Sequence, residues 1–148
     1  MKIYIDADGC PVTDIAVRNA RKYSLDVIIL CDTSHIIERD GAKTITVSKG
    51  ADSADFALVN MLQNGDLAIT QDYGLAAMCL SKGALAINQD GRAYSSENID
   101  GLLFSRYEAK KARMSGKHLK SIPKRVRAQD EAFESALIKL IENSQKTV

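Results

Sequence analysis

The stretch that decides the fold is Lys2-Ile3-Tyr4-Ile5-Asp6-Ala7-Asp8-Gly9-Cys10-Pro11. Ile3, Tyr4 and Ile5 are good strand formers. Gly9 breaks the strand, and Pro11 suits the first position of a helix, where its missing N–H costs nothing. An apolar helix face follows at Val12, Ile15, Ala16, Ala20 and Tyr23, opposite Asp14, Arg18, Arg21 and Lys22. A strand thus ends in two carboxylates, turns tightly and enters a helix. In open α/β sheets, ligands bind in the crevice at the carboxyl ends of the strands. Two acids there call for a partner, and a hard divalent cation, which takes carboxylate and water oxygens, is the obvious one. Either Asp taken singly could instead cap the turn through its own downstream N–H groups.

Outward from this stretch the same design recurs. Asp26 to Cys31 is a nearly all-apolar run, the look of a parallel strand buried on both faces. Lys43 to Ser48 reads as the next strand, ended by Lys49-Gly50. Asp52-Ser53-Ala54-Asp55 then opens a helix over Phe56 to Leu62, and its two acids share a face; they also resemble a capping box. Gly65-Asp66 turns the chain into the short strand Leu67 to Thr70, which ends at Gln71-Asp72 before a helix over Tyr73 to Lys82. Ala84 to Ile87 is a fifth strand, followed by the polar turn Asn88-Gln89-Asp90-Gly91. Ser96 suits the cap of a helix carrying Ile99, Leu102 and Leu103. A last amphipathic helix is expected over about 130–143, with Ala132, Phe133, Ala136, Leu137, Leu140 and Ile141 inward. The alternation predicts a three-layer α/β fold with a mainly parallel central sheet, Lys2–Ile5 inside it between Asp26–Cys31 and Leu67–Thr70. Asp6, Asp8, Asp72 and Asn88 or Asp90 then leave from the same sheet end, with Asp52 and Asp55 on that side. Like charges gathered this way need a cation.

Length and charge narrow the classes. The 148 residues suggest one domain, with the basic segment 106–127 and the last helix included. No apolar run approaches the roughly 20 residues that span a bilayer. Asp6 interrupts any signal-peptide apolar region. Cys10, Cys31 and Cys79 fit neither a zinc motif nor a disulfide framework, so a reducing cytoplasm is expected. The net charge of +1 hides an asymmetry: segment 106–127 holds nine basic residues against Glu108 alone, a net of +8, leaving −7 elsewhere. Gly116 and Pro123 interrupt this segment. Its aromatic interleaving is sparse, with only Tyr107, which gives little support to stacking of single strands. Cys10, near the first helix N-terminus, is expected to be a thiol of modest reactivity, since the helix dipole favours thiolate and Asp6 and Asp8 oppose it.

Asp6-Ala7-Asp8-Gly9-Cys10-Pro11-Val12, Gly50-Ala51-Asp52-Ser53-Ala54-Asp55, and Gly65 to Ala76 together resemble the YaiI/YqxD family of uncharacterised bacterial proteins. The likeness extends through Lys82-Gly83-Ala84, Asn98-Ile99, Arg106, Arg113 and Gly116 to Leu137. Lys120-Ser121-Ile122-Pro123 stands where the family usually has a Gly-Gly-Pro-type stretch. The resemblance implies a PIN-like domain, the fold of many Mg²⁺- or Mn²⁺-dependent ribonucleases, without an assigned activity. The chemistry suggested is metal-assisted phosphodiester hydrolysis. Asp6, Asp55 and Asp72 would be direct metal ligands, and Asp8 and Asp52 ligands or holders of water. Asp6, Asp8, Asp55 and Asp72 would form the catalytic set. Arg106, Lys110, Lys111, Arg113 and Lys117 would grip a nucleic acid, with RNA expected. Two alternatives remain. Asp6-Ala7-Asp8-Gly9 also suits a haloacid-dehalogenase-type phosphatase with Lys49 on the phosphate; Asp66 would lie at the wrong sheet end for its later acid, and Asp72 could substitute. The third is a nucleic-acid-binding module without catalysis.

Overall fold

The structure, a computed structural model, describes residues 1–48, 53–116 and 123–146. Among them, five strands, β1 (Ile3–Asp6), β2 (Val27–Asp32), β3 (Lys43–Val47), β4 (Leu67–Ile69) and β5 (Leu85–Ile87), form one parallel sheet in the order β3-β2-β1-β4-β5. Lys2–Ile5 lies at its centre between the two expected neighbours. Side chains alternate across the sheet, as a strand's period of two requires. Ile3, Ile5, Val27, Ile29, Leu67, Ile69 and Ile87 pack on one face, and Tyr4, Ile28, Leu30, Ala68 and Ala86 on the other.

Among the described residues, five helices cover the two faces. The first face carries α1 (Thr13–Lys22) and α5 (Arg127–Lys146), through Val12, Ala16 and Ala20 and through Phe133, Leu137 and Ile141. Glu134 ties the pair, accepting from Arg18 at 2.7 Å and Asn19 at 2.8 Å. The second face carries α2 (Ser53–Met61), α3 (Tyr73–Ser81) and the start of α4 (Ile99–Met114). No helix of the described residues is long and apolar enough to cross a membrane.

Several boundaries differ from the sequence reading, each for a local reason. Pro11 is not the first helical residue. Gly9 takes a left-handed φ of +72°, and the Cys10 N–H closes a turn onto Ala7 O, so winding starts only at Thr13, with Val12 as an N-cap that has no side-chain cap. Ser96 does not cap α4. Ser95 and Asn98 exchange hydrogen bonds, Ser95 N–H to Asn98 Oδ1 and Asn98 N–H to Ser95 Oγ, and set the entry instead. The last helix starts at Arg127 because Gln129 Oε1 accepts from Val126 N–H and so opens it a turn early, and it runs on to Lys146. Ala132 is exposed rather than inward.

The chain leaves β1 towards β2 and β3, then crosses back over α2 to β4 on the other side. The reversal between β1 and β4 is the topological switch point, where the crevice of such a sheet opens. The turn after β5 is wedged against α5. Gly91 has φ +84°, and a methyl there would lie 2.8 Å from both Ala132 O and Ala136 Cβ; Gly65, at φ +86°, has open space. Gly65→Ala should therefore cost about 1 kcal/mol of backbone strain, and Gly91→Ala about 3 kcal/mol, strain and overpacking together. Urea unfolding of both variants checks this, and equal losses would show that the turn is not wedged.

Candidate functional site

The switch point holds a groove of about 690 Å³. Its floor is Asp6, the last residue of β1, with Asp8 and Gly9 beyond it and Gln71, Asp72 and Tyr73 from the exit of β4. Ser105, Arg106, Ala109 and Arg113, from one side of α4, form a wall. Gln71 Nε2 donates to Gly9 O at 2.9 Å and joins the two loops.

Thr70, 1% exposed, organises the floor. Its hydroxyl donates to Asp6 Oδ2 at 2.8 Å and accepts from Asp72 N–H at 3.0 Å. Its carbonyl accepts from the buried Tyr94 hydroxyl at 3.0 Å, and Tyr94 meets Tyr73 edge-on. Asp72 is the N-cap of α3, with Oδ1 accepting from Gly74 and Leu75 N–H, and Arg106 Nη1 lies 3.3 Å from the same oxygen. All these bonds fall on one oxygen of each acid. Asp6 Oδ1 and Asp72 Oδ2 accept no hydrogen bond from the described residues.

Electrostatics mark Asp6 as the stressed group. Burial pushes its carboxyl above the ordinary 3.8; the Thr70 hydroxyl opposes this, while the charges of Asp72 and Asp8 add to it. Cys79, buried in α3, has its thiol pushed up to about 12, first by burial and then by Asp55 and Asp6, so both acids act on one point beneath α3. Burial likewise raises Cys10, against hydrogen bonding from Val12. The sequence predicts a Cys10 thiol of modest reactivity; its burial outweighs the Val12 and Thr13 hydrogen bonds that favour thiolate.

Of the sequence-predicted residues, the groove gathers Asp6, Asp8, Asp72, Arg106 and Arg113. Asp55, in the first turn of α2, does not line it, and Lys110 and Lys111 lie outside its wall. Asp52, Lys117, Lys49 and the stretch Lys120-Ser121-Ile122 fall outside the described residues. Among the described residues, no three His, Cys, Asp or Glu side chains stand close enough to hold one metal ion. Thr70 is the residue that sequence reasoning missed. Its signal was its place between an apolar strand and Asp72, where a hydroxyl can bond the acid's own N–H.

A family model described as the uncharacterised YaiI/YqxD family matches residues 4–143. The chain belongs to this family. Three YaiI/YqxD relatives, each named only as a UPF0178 protein, come from Ruminiclostridium cellulolyticum, Clostridium acetobutylicum and Exiguobacterium sibiricum. They are 50%, 48% and 47% identical to this chain. The matches cover 95% of this chain and 92%, 97% and 96% of the relatives. No solved structure gives a significant match.

The stress on Asp6 has a consequence for stability. Above about 3.8 the unfolded chain has lost a proton that the folded chain still holds, so stability falls as the pH rises through this window and stays lowered above it. Asn at this position carries no charge and still accepts from Thr70. In EDTA, Asp6→Asn should raise Tm at pH 7 by about 2–4 °C, the effect of roughly 1 kcal/mol in a chain of this size. At pH 3 the gain should vanish. Calorimetry at both pH values checks the sign.

Proposed function

We propose that this protein is a divalent-metal-dependent phosphodiesterase acting on nucleic acid, with RNA as the expected substrate and a PIN-like arrangement of acids. The observation that carries the reading is the meeting of Asp6, Asp8 and Asp72 at the switch point under the two arginines of α4. The acids suit a hard cation and the guanidinium groups suit a phosphate. The donor set fits Mg²⁺ or Mn²⁺, because such ions take one or two carboxylates and complete their shell with water and substrate phosphate. Asp6 Oδ1 and Asp72 Oδ2 are the oxygens free to serve. Asp8 would hold water at the rim. Asp55, which does not line the groove, would act from outside it.

The bound cation would polarise the phosphate and lower the pKa of a water. The chain's own residues do the rest. Thr70 holds Asp6 and the start of α3 in fixed relation, so the two free oxygens keep their separation. Arg106 is half-exposed, and an exposed ion pair contributes only about 0–1 kcal/mol. It can leave Asp72 for an incoming phosphate. Arg113, on the same wall, adds a second positive charge. On the phosphatase reading Asp66 cannot be the later acid, because it sits at the opposite sheet end, buried and accepting from Lys2 and Gln63 N–H, and Asp72 would have to take that place.

Titration calorimetry with MnCl₂ and cleavage of a labelled RNA with and without Mn²⁺ test the proposal. Cleavage should require the metal and fall by about 100-fold or more in Asp6→Asn and in Asp72→Asn. Both variants keep the fold, because Asn at position 72 also caps a helix and Asn at position 6 still accepts from Thr70. Metal-independent cleavage, or full activity in both variants, would overturn the reading. Binding should also weaken with salt, and replacing Lys110, Lys111 and Arg113 with Ala should flatten that dependence.

A further inference from the structure

One side of α4 walls the groove, and the opposite side faces solvent. The helix is anchored through Ile99, Leu102 and Leu103. Beyond them Phe104, Tyr107 and Met114 are 64%, 61% and 79% exposed. A helix end with so little packing is marginal by itself, and exposed aromatic side chains grouped together mark an interaction surface. At about 100° per residue, the order around the helix is Arg113 and Arg106 beside the groove, then Lys110, Tyr107, Lys111 and Phe104. Cations and rings alternate, and the series is continuous with the groove wall.

The charge on this surface selects its occupant. Between Phe104 and Met114 stand Arg106, Lys110, Lys111 and Arg113 against Glu108 alone. This complements a phosphate backbone. Phe104 and Tyr107, three residues apart, are neighbours on one face. Exposed rings flanked by cations hold unpaired bases by stacking, which is open to any base with a free face. In a duplex those faces are covered, and recognition passes to shape and backbone.

We propose that the outer face of α4 is a base-stacking subsite. Phe104 and Tyr107 take unpaired bases of the strand whose phosphate lies in the groove, and Lys110 and Lys111 carry the backbone around the helix between them. The inference rests on the phosphodiesterase reading of the groove and adds to it that the substrate is single-stranded. It also revises the sequence view of sparse aromatic interleaving. The helix begins before the basic segment and brings Phe104 beside Tyr107.

The test is fluorescence anisotropy of the full chain in EDTA with two probes, a labelled twelve-nucleotide RNA and the same RNA in a duplex. The double variant Phe104→Leu/Tyr107→Leu keeps apolar bulk and helix propensity but removes the rings. Its affinity for the single strand should fall about tenfold or more. Its duplex affinity and the salt dependence of both should stay unchanged, since no phosphate contact is lost. Unchanged single-strand affinity in the variant, or a duplex bound as tightly as the single strand by the wild type, would overturn the subsite. A wild-type dimer in sedimentation velocity that the variant dissociates would overturn it too, assigning the face to a second copy. None of these readings measures metal-dependent cleavage through Asp6, so the groove's chemistry stands or falls separately.

Discussion

The parallel pairing of β1 with β4 is the constraint on which the rest depends. Ile3, Tyr4 and Ile5 align with Leu67, Ala68 and Ile69, and the Leu67 N–H bonds to Lys2 O at the start of the ladder. Between these two strands the chain runs out to the sheet edge and returns. No local connection holds them together. Burial on both faces does, with Ile3, Ile5, Leu67 and Ile69 against α1 and α5 and Tyr4 and Ala68 on the other side. This pairing brings Asp6 and Asp72 to one crevice. A register slip of one residue would turn every inward side chain outward and send Asp6 to the wrong face.

The price of that placement falls on Asp6. Its carboxyl is partly desolvated and stands in the field of Asp72 and Asp8. Thr70 is the counterweight, one hydroxyl that donates to Asp6 and accepts from the Asp72 N–H. At Asp72 the helix N–H groups share the carboxylate's charge, and the α3 dipole favours a negative group there. Two acids of one type thus stand in different environments. One is an offset cap; the other is a site under strain.

The basic segment divides in the same way. Arg125, 22% exposed, donates to Asp90 at 2.9 Å, Asp130 at 2.7 Å and the Gln89 carbonyl at 2.6 Å, fastening the turn after β5 to the start of α5. Its bonds are short and several, and it is a structural clamp. Arg106 has one longer contact and is 59% exposed. Residues that look equivalent as a run of charge therefore split into a fastener and a movable side chain. Burial and the number of partners decide which.

The residues along the chain settled much of the architecture. Apolar runs at Ile3–Ile5, Val27–Cys31 and Leu67–Ile69 marked interior parallel strands, and the acids at their carboxyl ends marked the crevice. These are properties of neighbours in sequence: period, propensity and the residues that break an element. Helix starts were less legible, because turn closure after Asp8 and the Ser95–Asn98 exchange depend on backbone geometry that composition does not express. Only the tertiary structure decided that Asp6, Asp8 and Asp72 share a groove that Asp55 does not line, that Thr70 links two of them, and that one face of α4 walls the groove while Phe104 and Tyr107 look away from it. Side chains remote in sequence meet only through strand order and crossover direction, and those follow from how the whole core packs.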